Sequence, residues 1–142
     1  MNTIMEIILT FLLKFLPRNP HIFYLRGFAY LKLEQYEKAL EDWDKAIELD
    51  PNNLDAINNR KILLEKHPEL THLERGYAHI NLEQYDKAIN NLTKVIELNP
   101  NHAEAYYNRG VTYGKLEQYD KAIDDYTKAI ELKPDYADAY YN

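Results

Sequence analysis

An all-α solenoid of antiparallel helix pairs is the fold class this sequence predicts, and three observations predict it. The tetrapeptide LEQY recurs at Leu33, Leu82 and Leu116, each time followed by an acidic residue, a lysine and an alanine. Around it a 29-residue core repeats as FYLRGFAYLKLEQYEKALEDWDKAIELDP, HLERGYAHINLEQYDKAINNLTKVIELNP and YYNRGVTYGKLEQYDKAIDDYTKAIELKP, ending at Pro51, Pro100 and Pro134. The composition, with 13 Tyr against 4 Gly and 6 Pro, suits regular elements packed by bulky side chains with few long loops. Repetition at this scale signals a stacked architecture, because one such unit cannot bury its apolar face alone.

Each core reads as two helices. In the third copy Tyr106, Gly110 and Tyr113 fall at helical spacing, and Tyr119, Ala122, Ile123, Tyr126, Ala129 and Ile130 mark the apolar stripe of a second helix. LEQY is the elbow between them, its leucine and tyrosine expected to hold the helices together and its glutamate and glutamine to face solvent. The closing DP, NP and KP stop the second helix, since proline disfavours helical geometry in its predecessor and has no amide to donate. Gly27, Gly76 and Gly110 lie mid-helix, where glycine costs about 1 kcal/mol against alanine. Close approach of the partner helix is the expected compensation, with Ala39, Ala88 and Ala122 as the opposing small surface and Trp43, Leu92 and Tyr126 filling the space one turn on.

Carried by these residues, the copies resemble the tetratricopeptide family, whose period is 34 residues. Phe23 and Tyr106 take the place of the family's first aromatic, and Tyr30 and Tyr113 that of the tyrosine after the glycine; His72 and His79 depart from it in the middle copy. The three glycines, the three alanines and the three prolines match. Arg26, Arg75 and Arg109 replace the family's leucine before the glycine, and Glu34, Glu83 and Glu117 replace a glycine common in its inter-helix turn. The resemblance implies a right-handed superhelix.

The LEQY intervals are unequal, 49 residues and then 34. Between Pro51 and Pro68, NNLDAINNRKILLEKH resembles a first helix with Ile57, Arg60 and Leu64 in the aromatic, arginine and tyrosine places, and no second helix follows. The chain is therefore expected to be a single array over 1–142: an isolated second-type helix at 3–16, repeat 1 at 20–51, a half-repeat at 54–66, repeat 2 at 69–100, repeat 3 at 103–134 and a truncated first helix at 137–142. Pro17 sets the phase of the first element, with Leu9 and Leu12 at its packing positions. Both ends fall mid-repeat, as in a fragment or a truncated array.

The run IMEIILTFLLKFL at 4–16 invites a targeting or membrane reading. It is 13 residues long and contains Glu6 and Lys14, whereas a span needs about 20 apolar residues, and its flanks MNT and PRNP are not those of a signal peptide. With no cysteine there is no sign of an oxidising compartment, and a cytoplasmic location is expected. Net charge −6 repels phosphate backbones, so no nucleic acid is expected as a partner.

Catalysis finds no support in the sequence. His72 and His79 are two turns apart on one helix, about 10.5 Å by helix rise, too far to share a metal. DPNNLD at 50–55 lacks the central glycine and terminal glutamate of a calcium loop. No enzyme, cofactor or metal is expected. Arg26, Arg75 and Arg109 are expected to pair with acids on their neighbouring second helices, such as Glu41, Asp42, Asp124 or Asp125, with Asn90 and Asn91 making the middle copy the exception.

The resemblance implies a concave groove lined by first helices that holds a peptide or helix of another protein. Helical phase puts residues three before and one after each glycine there: Tyr24 and Phe28, Leu73 and Tyr77, Tyr107 and Val111, with Asn58 and Ile62 from the half-repeat and Asn108 to bond ligand backbone. This lining is aromatic and apolar, unlike the lysines and asparagines with which family members grip acidic tails. Two alternatives remain. One is a homodimer through repeat edges, by Ile8, Phe11 and Phe15 at one end and Tyr140 and Tyr141 at the other; the second is membrane attachment through residues 4–16.

Overall fold

The computed structural model describes residues 2–135, which form eight α-helices and no strands. They are α1 (Asn2–Leu13), α2 (Pro20–Lys32), α3 (Tyr36–Leu49), α4 (Leu54–Lys66), α5 (Pro68–Asn81), α6 (Tyr85–Leu98), α7 (Ala103–Lys115) and α8 (Tyr119–Leu132). Residues 137–142, and with them Tyr140 and Tyr141, lie outside the described residues.

The chain divides into two compact units, Met1–Lys66 and His67–Asn142. In the first, α2 packs on α3, α1 on α2 and α3 on α4; in the second, α5 packs on α6, α6 on α7 and α7 on α8. The division falls where α4 runs into α5 through His67 with no second-type helix between them.

Local chemistry sets the ends. Asn19 caps α2 by accepting from the His21 and Ile22 amides, and Pro20 and Pro68 open α2 and α5 at positions that need no amide donor. Helix α1 stops at Leu13, three residues before its expected end. The amides of Lys14 and Phe15 bond back three residues, to Phe11 and Leu12, as the chain tightens ahead of Pro17, which disfavours helical geometry at Leu16.

The three elbows share an unusual backbone. Glu34, Glu83 and Glu117 have φ of 57°, 56° and 59°, in the left-handed region. The amide of the following glutamine bonds to the carbonyl of Tyr30, His79 or Tyr113, closing the turn. The expectation that leucine and tyrosine pin each elbow fails at Leu82 and Tyr119, which are exposed. Backbone hydrogen bonds hold the turn, so those two side chains are free to point outward.

Each unit builds its core at the glycines. Trp43 is fully buried, and its Nε1 donates to the Tyr24 carbonyl at 3.3 Å. A Cβ on Gly27 would lie 2.5 Å from that nitrogen, so the indole reaches the α2 backbone only because residue 27 is glycine. Tyr126 plays the same part against Gly110, where a Cβ would meet its ring carbons at 2.9 Å. Leu92 faces Gly76 more loosely, at 3.1 Å. Ala39, Ala88 and Ala122 are buried, and the Ala39 and Ala122 carbonyls border the first and third glycines.

Candidate functional site

In the first unit the candidate groove residues lie on α2 and α4. Tyr24 is half-buried; its ring stacks on His21, and its hydroxyl accepts a bond from Asn59 Nδ2 of α4 at 3.4 Å. Phe28 is 40% exposed with Lys32 Nζ 5.1 Å from its ring centre, and Asn58 and Ile62 are exposed on α4. Phe28, Asn58 and Ile62 are therefore accessible to a ligand.

In the second unit Leu73 departs from its expected role, being 2% exposed and part of the core. At the same helical phase Tyr24 and Tyr107 carry longer rings and stay half-buried, whereas the shorter leucine ends inside the packed layer. The other residues cluster. The Tyr77 hydroxyl on α5 donates to Glu104 Oε1 on α7 at 2.5 Å, and Asn108 Nδ2 donates to the Glu104 carbonyl at 2.9 Å and the Tyr77 hydroxyl at 3.4 Å. Both amide hydrogens of Asn108 are thus engaged. Tyr107 and Val111 are half-buried beside this cluster, with the Tyr107 ring 5.9 Å from that of Tyr126. Burial, and secondarily Tyr107, raises the Tyr126 phenol pKa above its ordinary value.

Sequence reading missed Glu104 and Asn59. Glu104 stands four residues before Asn108, so its place beside the amide was readable from helical spacing. Its bond to Tyr77 crosses 27 residues and depends on how α5 and α7 flank α6.

The arginines form a second pattern. Arg26 grips Asp42 with both ends of its fork, Nε–Oδ2 at 2.6 Å and Nη2–Oδ1 at 2.7 Å, while Nη1 reaches Thr10 at 3.3 Å. Arg109 repeats this on Asp125, at 2.7 and 2.8 Å, and on Thr93, at 3.1 Å. Each arginine ties its own second helix to the preceding one. The guanidinium sits 5.7 Å from the rings of Phe23 and Tyr30 in the first case and 5.7 and 5.8 Å from Tyr106 and Tyr113 in the second. The aspartate hydrogen bond raises each arginine's pKa, against the opposing effect of burial. Arg60 reaches back to Asp44 of α3 at 2.6 Å.

Arg75 has none of this. It is exposed, and makes no hydrogen bond or ion pair among the described residues. Asn91 occupies the aspartate's place and bonds instead to His72 Nδ1 and the Lys87 carbonyl.

Among the described residues no group of three His, Asp or Glu side chains could hold a metal, and no helix is long and apolar enough to cross a membrane. Two surface depressions, of about 500 and 280 Å³, lie along α1 and the turn after it; no groove candidate lines either. Helix α1 buries Leu9 against α2 but leaves Leu12 exposed.

No curated protein matches the chain. Among solved structures it is similar to YrrB, described as a TPR protein with an unusual peptide-binding site, at 25% identity over 98% of this chain and 83% of that one, with a TM-score of 0.51. It is similar to MamA at 28% identity over 93% and 68% of the two chains, with a TM-score of 0.45. The first TPR of Spaghetti (RPAP3), bound to HSP90 peptide SRMEEVD, is similar at 23% identity over 87% and 86%, with a TM-score of 0.46. The tetratricopeptide repeat model matches residues 21–53 and 103–136, and a further TPR repeat model matches 76–117. These matches span more than half of the sequence and bracket the glycines, elbows and prolines described above: the chain belongs to the tetratricopeptide repeat family.

Proposed function

We propose that this chain is a protein-interaction module whose first-type helices hold an extended or helical peptide of a partner, mainly through apolar and aromatic contact. The observation that carries this reading is the cluster on α5 and α7, where the Tyr77 hydroxyl bonds to Glu104 and meets Asn108, with Tyr107 and Val111 half-buried on the same helix as those two polar groups. Peptide sites take this form, with apolar area for affinity and a small number of placed polar atoms for orientation. The likeness to YrrB supports the same reading. The cluster contains a carboxylate and no cation, and the whole chain carries net charge −6. A partner segment with amide or basic donors beside its apolar anchors fits this field better than an acidic tail. A non-enzymatic role follows, and no residue is assigned a catalytic part.

Replacing Tyr77 and Tyr107 together by Ala tests it. Partner capture from native lysate is expected to fall at least tenfold while helicity measured by circular dichroism is unchanged. Undiminished capture by the variant sinks the assignment.

Association between copies through α1 is a second reading, favoured by the concentration of exposed apolar side chains there. Of the fifteen large apolar residues exposed among the described residues, eight lie between Ile4 and Leu16.

A further inference from the structure

The geometry of α1 points to one particular pairing: two copies of this chain joined by α1 against α1, antiparallel about a two-fold axis. The inference rests on the reading of α1 as a self-association surface and gives it a geometry. Ile4, Ile8, Phe11 and Phe15 follow one another at spacings of four, three and four, the heptad pattern that places residues along one seam of a helix. They are 62%, 48%, 56% and 67% exposed, and Leu9, the buried residue of this helix, lies on the other side against α2. The rings of Phe11 and Phe15 meet edge to face at 5.2 Å, which confirms that the stripe continues through the final tight turn.

The order of side chains in the stripe selects its partner. Reversed, the spacing four, three, four is unchanged, so an antiparallel second copy sets Ile4 against Phe15 and Ile8 against Phe11 in every layer. Each layer then joins one aromatic ring to one branched aliphatic side chain. A parallel copy would set phenylalanine on phenylalanine and isoleucine on isoleucine, leaving layers of unequal width.

Charge agrees. No ionised group lies in the stripe, so it offers nothing to an acidic or basic segment. Glu6 is turned toward α2, where it acts on Tyr30 and Arg26, and an antiparallel arrangement keeps the two Lys14 side chains at opposite ends. Helices that lie on membranes are rich in Lys and Arg on the polar face; between residues 2 and 13 α1 has none. The four stripe residues together expose the equivalent of about 2.3 whole side chains, on the order of 450 Å² per copy at ~200 Å² each, a contact at the small end of specific interfaces. Because α1 is already folded on α2, pairing has no helix-nucleation cost.

Sedimentation velocity of the full chain, with cysteine cross-linking, tests the proposal in a protein that has no cysteine of its own. The wild type is expected to dimerise, and Phe11→Glu and Ile8→Gln each to weaken the dimer at least a hundredfold with unchanged circular dichroism, both side chains being exposed. Mixed single variants Ile4→Cys and Phe15→Cys are expected to form a disulfide with each other and not with themselves, as antiparallel seams bring only that pair within the ~7 Å a disulfide spans between Cα atoms. A strictly monomeric wild type overturns both the self-association reading and the pairing. A dimer that cross-links within each single variant overturns the antiparallel pairing alone, and one that survives both substitutions overturns association through α1 as well. Flotation of the wild type but not Phe11→Glu with phosphatidylcholine vesicles, in place of dimerisation, assigns the stripe to a lipid surface and overturns it too.

Discussion

The α2–α3 and α7–α8 pairs are locked by an arginine, and the α5–α6 pair is not. In the first two, a guanidinium between two aromatic rings holds a buried aspartate with both ends of its fork and a threonine with its remaining nitrogen. In the third the same backbone position carries Arg75, but the aspartate has become Asn91 and the two aromatic places hold His72 and His79. The threonine's place is gone as well. Sixteen residues before Arg26 and Arg109 stand Thr10 on α1 and Thr93 on α6, both second-type helices; sixteen before Arg75 stands Asn59, on the first-type helix α4. A missing helix thus removes one partner, and side-chain changes remove the others. What survives in α5–α6 is the apolar core around Leu92, which suffices to hold the pair but fixes it with fewer directional bonds.

Breaking a lock should have the largest effect. Arg109→Ala leaves the Asp125 carboxylate buried and unpaired, and is expected to cost about 3 kcal/mol in urea unfolding, whereas Arg75→Ala should stay within about 0.5 kcal/mol. Equal costs would erase the distinction. The glycines should rank in the same order. Gly27→Ala drives a methyl into Trp43 and is expected to destabilise by about 1–3 kcal/mol, as overpacking does. Gly76→Ala meets Leu92 Cδ2 and Cγ at 3.1 Å, a contact that a shift of a few tenths of an ångström relieves, and the better helix propensity of alanine, worth up to about 1 kcal/mol, should leave it near neutral. Thermal unfolding of both variants compares them directly. The smallest effect sharpens the contrast from the other side: Asn91→Asp restores the acid opposite Arg75 and should add roughly 0.5 kcal/mol, the worth of an exposed pair without the rings and threonine. A gain as large as the Arg109 loss would mean that the acid alone makes the lock.

Much of this was readable in the sequence, because repetition supplies its own alignment. The acids on the neighbouring second helices, Glu41 or Asp42 and Asp124 or Asp125 against Asn90 and Asn91, were enough to expect paired and unpaired copies, but not which acid of each two closes the lock. The threonine side of the lock was hidden. It becomes apparent only when a first helix is known to touch the second helix of the repeat before it, as α2 touches α1 and α7 touches α6. Helical phase placed Tyr77, Tyr107 and Val111 at positions that stay half-buried, yet it could not separate Leu73 from Tyr24 and Tyr107, since phase gives direction and not reach. Leu82 and Tyr119 were misjudged for a related reason: a recurring side chain was credited with work that the elbow's backbone bonds perform.

The three left-handed glutamates show what repetition does to a defect. A glutamate at φ near +57° is held at a cost of roughly 1–2 kcal/mol that glycine would avoid. In an ordinary domain such a residue is a single local concession. Here it sits in every elbow, so the same penalty is levied three times over, and one correction copied through the array would raise stability by a multiple of its worth at a single turn. Modular chains carry their imperfections in parallel, and offer the same leverage to whatever removes them.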